Sequence, residues 1–131
     1  MKTTNLELAQ KAKEASKKAY VPYSHFPVGA AFVSTDGKIV TGCNIENASF
    51  GLSNCAERTA IFKAISDGIS EFSALAIYGE TNEPISPCGA CRQVLVEFCS
   101  EEMPVYLVSK DLTIKATTVG ALLPYSFRTL D

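Results

Sequence analysis

The sequence predicts an α/β protein: a three-layer α/β/α sandwich built around a five-stranded mixed sheet. Two observations lead to this prediction. Apolar residues follow helical and strand periodicities in the order helix, two strands, helix, strand, helix, two strands and a short helix. Strand–helix–strand units favour parallel pairing with helices on both faces of the sheet. We therefore expect a mainly parallel sheet that the hairpin at each end makes mixed.

The amino-terminal segment predicts a helix whose start is capped by Thr4 or Asn5. Lysines and glutamates separate apolar residues at helical spacing, namely Leu6, Ala9, Ala12, Ala15 and Ala19. The small alanines would let this helix lie close to another surface. Residues 20–27 contain two prolines, so we expect irregular structure there.

A β-hairpin is predicted next. Val28–Ser34 and Ile39–Cys43 are apolar runs, and the Asp-Gly pair between them is typical of a turn. Residues 44–54 are polar and contain glycine, which indicates a loop. Helical periodicity returns over residues 55–66, and Gly68 stands where such a helix would stop.

The second half of the chain continues this alternation. Residues 74–78 indicate a short buried strand, and residues 89–99 predict a helix with Val94, Leu95 and Phe98 facing inward. The remaining predicted elements are a loop over 81–87, a strand over 105–108, a turn at Lys110-Asp111, a strand over 112–117, a helical turn over 119–123 and a tail over 125–131 that docks on the protein.

The composition limits the class of protein. For 131 residues, 47% hydrophobic and 20% charged, we expect one domain over 1–131. A net charge of −2 without a basic run argues against a nucleic-acid partner, and no apolar stretch approaches the ~20 residues that span a membrane. The amino-terminal segment lacks the apolar core of a signal peptide, and the cysteines suit a reducing compartment, so we expect a cytoplasmic protein.

Three cysteines in two motifs carry the predicted chemistry. Cys88 and Cys91 head one predicted helix, which places both sulfurs on one face of its first turn, and Cys55 opens another. The free N–H groups and positive dipole end of a first turn favour thiolate over thiol. Three thiolates leave one position open on a tetrahedral Zn²⁺, as in catalytic rather than structural zinc sites.

Two charged residues follow Cys55 directly. Glu57 is predicted to be the base beside the open position, which takes a proton from water and later delivers protons to the substrate. Zinc with three thiolates has a net charge of −1, which makes it a poor activator of water. We therefore expect Arg58 to withdraw charge from the sulfurs.

Each of these residues also has a structural interpretation. A Cys-x-x-Cys pair alone occurs in redox proteins and in structural zinc sites, and Arg58 alone is typical of a surface salt bridge. Cys43 and Cys99 are predicted to be small core residues, and His25 to make structural hydrogen bonds. A non-catalytic zinc module, closed by Cys43 or Cys99 as fourth ligand, is therefore one alternative.

The motifs CAER (55–58) and PCGACRQ (87–93) together resemble those of the cytidine deaminases of the small homotetrameric type. The resemblance extends to PYSHFPVGA (22–30), GCNIEN (42–47) and LLP (122–124), and so covers nearly the whole chain. It implies hydrolytic deamination of cytidine and deoxycytidine to uridine and deoxyuridine, with release of ammonia, in pyrimidine salvage.

The resemblance also implies a role for individual residues. It places one Zn²⁺ per subunit on Cys55, Cys88 and Cys91, with Glu57 moving protons. The implied substrate contacts are Asn44 and Glu46 to the ribose hydroxyls, Phe26 to the pyrimidine ring, and the Ala56 N–H and Ser86 carbonyl to the base edge. It further implies a homotetramer with shared active sites, in which Phe50 and Phe127 close the pocket of a neighbouring subunit.

Two rival deaminase functions are open at this point. A polynucleotide substrate needs a basic groove, which the sequence does not indicate, and relatives of that kind usually place a helix where this chain has the Lys110-Asp111 turn. An aminonucleoside antibiotic is harder to separate from a free nucleoside. That distinction depends on Asn44 and Glu46, since a site built to hydrogen-bond a sugar rejects analogues lacking its hydroxyls.

Overall fold

A computed structural model describes residues 3–128, so the predicted domain 1–131 includes residues 1–2 and 129–131 that lie outside the described part. The elements are α1 (Asn5–Ser16), β1 (Val28–Ser34), β2 (Ile39–Cys43), a 3₁₀ turn (Phe50–Leu52), α2 (Ala56–Ser66), β3 (Phe72–Gly79), α3 (Gly89–Phe98), β4 (Pro104–Val108), β5 (Ile114–Thr118) and α4 (Val119–Leu122). The predicted α/β class with a five-stranded mixed sheet is confirmed. Within the described residues, every helix is too short or too polar to cross a membrane.

The strands lie in the order β2-β1-β3-β4-β5. Only β3 and β4 pair in parallel, whereas the other three neighbouring pairs are antiparallel. The prediction of a mainly parallel sheet is therefore wrong. The sheet is mostly antiparallel because of the position of β1. The helix α2 connects β2 to β3, and these two strands run in the same direction, but they do not pair because the antiparallel β1 lies between them.

The helix α1 packs on one face of the sheet through small side chains. Its buried residues include Leu8, Ala9 and Ala12, and a Cβ at Gly29 would lie 1.8 Å from the Ala12 carbonyl oxygen. This close approach therefore requires glycine in β1. Leu6 does not belong to the buried face, since it is 48% exposed while Leu8 fills the core. The helix also ends at Ser16, before the predicted position 19.

The helices α2 and α3 cover the opposite face. A Cβ at Gly42 of β2 would lie 2.5 Å from the Ala60 nitrogen, so α2 rests directly on this strand. Four apolar residues of α3 pack on the same core: Val94, Leu95, Val96 and Phe98. Val96 is the one that the sequence pattern did not include. Because both helices lie on one face, their first turns can meet at the same edge of the sheet.

Three strands differ from their predicted bounds, and β4 differs by one residue, since it begins at Pro104 rather than at 105. β3 extends over Phe72–Gly79 rather than 74–78, because its ends continue the ladder with β1. β5 begins at Ile114 rather than at 112, because Leu112 has a φ of 65° inside a tight turn. The Ser109 N–H donates to the Thr113 carbonyl across that turn, at 3.0 Å.

Candidate active site

The three predicted metal ligands converge where α2 and α3 begin. Cys55 is the N-cap residue of α2 and Cys88 that of α3, and neither side chain caps its own helix. The Sγ atoms of Cys55 and Cys88 lie 3.7 Å apart, and those of Cys88 and Cys91 lie 3.4 Å apart. All three sulfurs lie within 4.8 Å of one another. The positive ends of two helix dipoles therefore point at one cluster of thiols.

This donor set fits a zinc ion. Among residues 3–128, the cysteine, histidine, aspartate and glutamate side chains close enough to share a metal ion are Cys55, Cys88 and Cys91 alone. Cys43 and Cys99 do not belong to that group, so the alternative of a site closed by either of them has no geometric support. Three sulfur ligands without a fourth protein ligand are typical of a catalytic zinc site.

The charges around the sulfurs favour one thiolate even before a metal binds. Hydrogen bonding to Cys91 and to Arg58 lowers the pKa of Cys55 to about 5. Conversely, the hydrogen bond to Cys55 and burial raise the pKa of Cys91. The Arg58 Nη2 donates to the Cys55 Sγ at 3.4 Å. The guanidinium therefore lies against a ligand sulfur, which is the position that the sequence predicted for it.

Glu57 lies in the first turn of α2, beside the cysteine cluster. Its side chain is buried, with 5% of the residue exposed. Burial, together with the negative charge of Cys55, raises the pKa of the Glu57 carboxyl. A buried carboxyl with a raised pKa can hold and release a proton near neutral pH, which a solvated helix carboxylate does not do.

A cavity of about 450 Å³ opens beside the cluster. Its lining residues are Phe26, Val28, Asn44, Cys55, Ala56, Glu57, Ile85, Ser86 and Cys88. The structure thus brings together seven of the predicted site residues. Val28 and Ile85 are additions that the sequence analysis missed. Val28 was assigned only to a strand, and no local pattern indicates that the loop before Cys88 turns Ile85 inward.

Asn44 and Glu46 contact the neighbouring loop through their side chains. The Asn44 Oδ1 accepts from the Val28 N–H and its Nδ2 donates to the Phe26 carbonyl, each at 2.9 Å. The Glu46 Oε1 accepts from the backbone N–H groups of Tyr23 and Ser24, each at 3.1 Å. Glu46 lies outside the cavity lining. Within the single chain, the Asn44 and Glu46 side chains therefore hold the loop that carries Phe26.

The two remaining predicted residues, Phe50 and Phe127, lie outside the cavity lining. Phe50 is 75% exposed and Phe127 is 62% exposed. The tail is nevertheless held, since the Gln93 Nε2 donates to the Phe127 carbonyl at 2.8 Å and the Arg128 Nη2 donates to the Cys99 carbonyl at 2.9 Å. The predicted docking of the tail thus holds for Phe127 and Arg128, whereas the Tyr125 side chain is exposed and residues 129–131 lie outside the described part.

Comparison with known proteins places this site in a family. The model of the "cytidine and deoxycytidylate deaminase zinc-binding region" matches residues 2–107. A cytidine deaminase of Sporosarcina psychrophila is 56% identical over 121 residues, which cover 92% of this chain and 89% of that protein. One of Halalkalibacterium halodurans is 50% identical over 95% of this chain and 94% of that protein.

A solved structure agrees with these sequence relatives. The crystal structure of a cytidine deaminase from Burkholderia pseudomallei superposes with a TM-score of 0.93 at 51% identity. The match covers 95% of this chain and 100% of that one. The similarity therefore includes the whole sheet, the helices on both faces and the loops between them.

Proposed function

The chain belongs to the family of cytidine and deoxycytidylate deaminases, and we propose that it converts cytidine and deoxycytidine to uridine and deoxyuridine by hydrolytic deamination, with release of ammonia. It is a zinc-dependent enzyme with one Zn²⁺ per subunit. The observation that carries this proposal is the meeting of three sulfurs, a buried carboxyl and a cavity at the start of α2 and α3.

Cys55, Cys88 and Cys91 are the residues that would hold the zinc ion. When bound, zinc supplies a Lewis acid that makes water a good nucleophile near neutral pH. Arg58 lies against the Cys55 sulfur at 3.4 Å and reduces the negative charge that three thiolates bring to the site. The two helix N-termini act in the same direction.

Glu57 moves the protons of the reaction. Addition of water to C4 of cytosine requires that one proton leave the water and that ring atom N3 become protonated. Loss of ammonia then requires that the proton of the new C4 hydroxyl pass to the leaving amine, which breaks the C4–N bond and leaves the C4 carbonyl of uridine. Glu57 is buried beside the cysteine cluster, and its raised pKa suits both the acceptance and the donation of these protons.

The cavity lining supplies the contacts that hold a nucleoside. Phe26 packs against the pyrimidine ring, and the Ala56 N–H and the Ser86 carbonyl bond the base edge. The position of all three residues in the cavity lining supports these roles. Asn44 and Glu46 bond the ribose hydroxyls. The Glu46 carboxylate would repel a phosphate group, which favours a free nucleoside over a nucleotide.

The enzyme acts as a homotetramer in which Phe50 and Phe127 complete the pocket of a neighbouring subunit. Both side chains are highly exposed and are therefore accessible to a neighbouring subunit, which supports this assignment. The same proposal places the enzyme in the cytoplasm and in pyrimidine salvage. Sedimentation that shows an active monomer would contradict the roles of Phe50 and Phe127.

Metal analysis combined with ammonia release tests the proposed function. Purified protein should contain one zinc per chain and should release ammonia from cytidine and deoxycytidine. CMP should react poorly because of Glu46, and adenosine should not react. A folded, zinc-loaded protein that releases no ammonia from cytidine would contradict the proposal.

A further inference from the structure

Two irregular segments beside the cavity, residues 20–28 and 44–46, are joined by backbone hydrogen bonds. The Tyr20 N–H donates to the Asn44 carbonyl at 3.0 Å, and the Glu46 N–H donates to the Tyr20 carbonyl at 2.9 Å. The Asn44 N–H donates to the Val28 carbonyl at 3.3 Å. The segment that carries Phe26 is therefore attached to residues 44–46 at both of its ends. Its middle is held by a backbone bond within the segment, from the His25 N–H to the Val21 carbonyl at 3.0 Å, and by side chains.

In the middle of the segment, the Ser24 hydroxyl adds to the bonds that the Glu46 and Asn44 side chains make to backbone groups of residues 23–26. It donates to the Glu46 Oε2 and accepts from the Phe26 N–H at 3.1 Å. The Ser24 N–H donates to the other Glu46 oxygen, also at 3.1 Å. His25, between Ser24 and Phe26, has a φ of 56°, a left-handed conformation that is sparsely populated outside glycine. These bonds hold the turn that directs Phe26 to the cavity.

We propose that Ser24 is a positioning residue for substrate binding, whose hydroxyl links the Glu46 carboxylate to the backbone of Phe26. This inference rests on the proposed roles of Phe26, Asn44 and Glu46. A serine that accepts from the N–H two residues on is by itself an ordinary turn former. The second hydrogen bond of the Ser24 hydroxyl, to Glu46, gives this serine a further role. It connects Glu46, the proposed ribose contact, to Phe26, the proposed ring contact.

The arrangement leaves capacity for a ligand. Each carboxylate oxygen has two acceptor sites, so Glu46 can accept from a sugar hydroxyl while it keeps its bonds to Ser24. The hydrogen bonds from Ser24 and Tyr23 also lower the pKa of the Glu46 carboxyl, which keeps it charged. The loop is thus ordered before the substrate arrives, and a substrate that binds to an ordered loop does not have to order it.

Replacement of Ser24 by alanine should therefore weaken binding and leave chemistry intact. In Ser24→Ala we expect KM for cytidine to rise about three- to tenfold, the effect of one hydrogen bond, with kcat within about twofold. Glu57 and the cysteines lie on α2 and α3, which the substitution does not touch. Ser24→Thr retains the hydroxyl and should recover most of the parent KM.

The matched control is Ser73→Ala. The Ser73 hydroxyl likewise makes a hydrogen bond to a distant segment, donating to the Val33 carbonyl at 3.3 Å, but at a position far in the fold from the cavity lining. It should leave KM unchanged. A second comparison uses Ser24→Ala in a Glu46→Gln background. If Ser24 acts through Glu46, the two effects on KM combine to less than their product.

Calorimetric binding of uridine separates this inference from the proposed function. If the parent binds uridine and turns over cytidine but Ser24→Ala has the parent KM and uridine affinity, the role of Ser24 is refuted and the function stands. A fall in kcat at unchanged KM, or a lowered Tm without a change in KM, also refutes it. A parent that neither binds uridine nor releases ammonia overturns both.

Discussion

The cysteine cluster (Cys55, Cys88 and Cys91) and the loop rim (Phe26, Asn44 and Glu46) lie beside the same cavity, which Cys91 and Glu46 do not themselves line, and the two groups are held by different means. The cluster stands on the first turns of two helices whose apolar faces are buried in the core. The rim consists of irregular segments joined by backbone and side-chain hydrogen bonds.

This difference indicates how each part responds to change. Helix packing places the sulfurs, so loss of one ligand removes a function that no neighbour replaces. In the rim several hydrogen bonds together hold the loop in place, because the Glu46 carboxylate by itself accepts from two backbone N–H groups and one hydroxyl. We therefore expect large, all-or-none effects at the cluster and graded effects on KM at the rim.

The largest effect is expected at the carboxyl beside the cluster. Glu57→Gln keeps the size and burial of the side chain but cannot exchange protons, so kcat should fall about 10²- to 10⁴-fold. Zinc content and Tm should stay at the parent values. The control is Glu97→Gln, an exposed carboxylate of α3 that should leave kcat unchanged. A Glu57→Gln enzyme with parental kcat would assign the proton transfer to another group.

Removal of the metal should also cause a large loss of activity, but this loss should be reversible. Dialysis against a chelator should abolish ammonia release and lower Tm, since zinc links the starts of α2 and α3. Added Zn²⁺ should restore both, whereas Mg²⁺ prefers oxygen ligands and should not. Cys88→Ser should lose zinc while Cys43→Ser keeps it. Equal zinc content in these two variants would refute the ligand assignment.

Arg58→Gln should have an intermediate effect. The bound zinc keeps its three sulfurs, but the guanidinium at 3.4 Å from the Cys55 Sγ is lost. We expect kcat to fall about ten- to hundredfold with zinc content unchanged. Lys63→Gln removes an exposed positive charge from the same helix and serves as the control. Full activity in Arg58→Gln would show that the site does not need this charge.

The smallest effect is expected in the rim. Glu46→Gln keeps an acceptor but loses the charge, so KM for cytidine should rise about tenfold at nearly constant kcat. The discrimination against CMP should decrease at the same time, because the repulsion of phosphate is gone. Glu71→Gln, which precedes β3, is the control. A Glu46→Gln enzyme whose kcat falls more than its KM rises would place Glu46 in the chemistry.

The two parts also differ in how far sequence analysis could describe them. Cys55, Cys88 and Cys91 stand at helix starts, and their two motifs together with the family resemblance were enough to predict that the three sulfurs come together. In the rim, the prediction named Phe26, Asn44 and Glu46 but not the bonds that Glu46 makes to residues 23–24. Those bonds join segments about twenty positions apart, and no short pattern encodes such a pairing.

By itself, the sequence determined the helix starts, the hairpin β1–β2, the three predicted zinc ligands and the family, since each can be recognised from short motifs of neighbouring residues. Only the tertiary structure decided that β1 lies antiparallel between β2 and β3, that Leu8 rather than Leu6 faces the core, and that Val28 and Ile85 line the cavity. These features depend on packing between distant segments, where burial of apolar surface and close backbone approach select one arrangement among several that the local patterns allow.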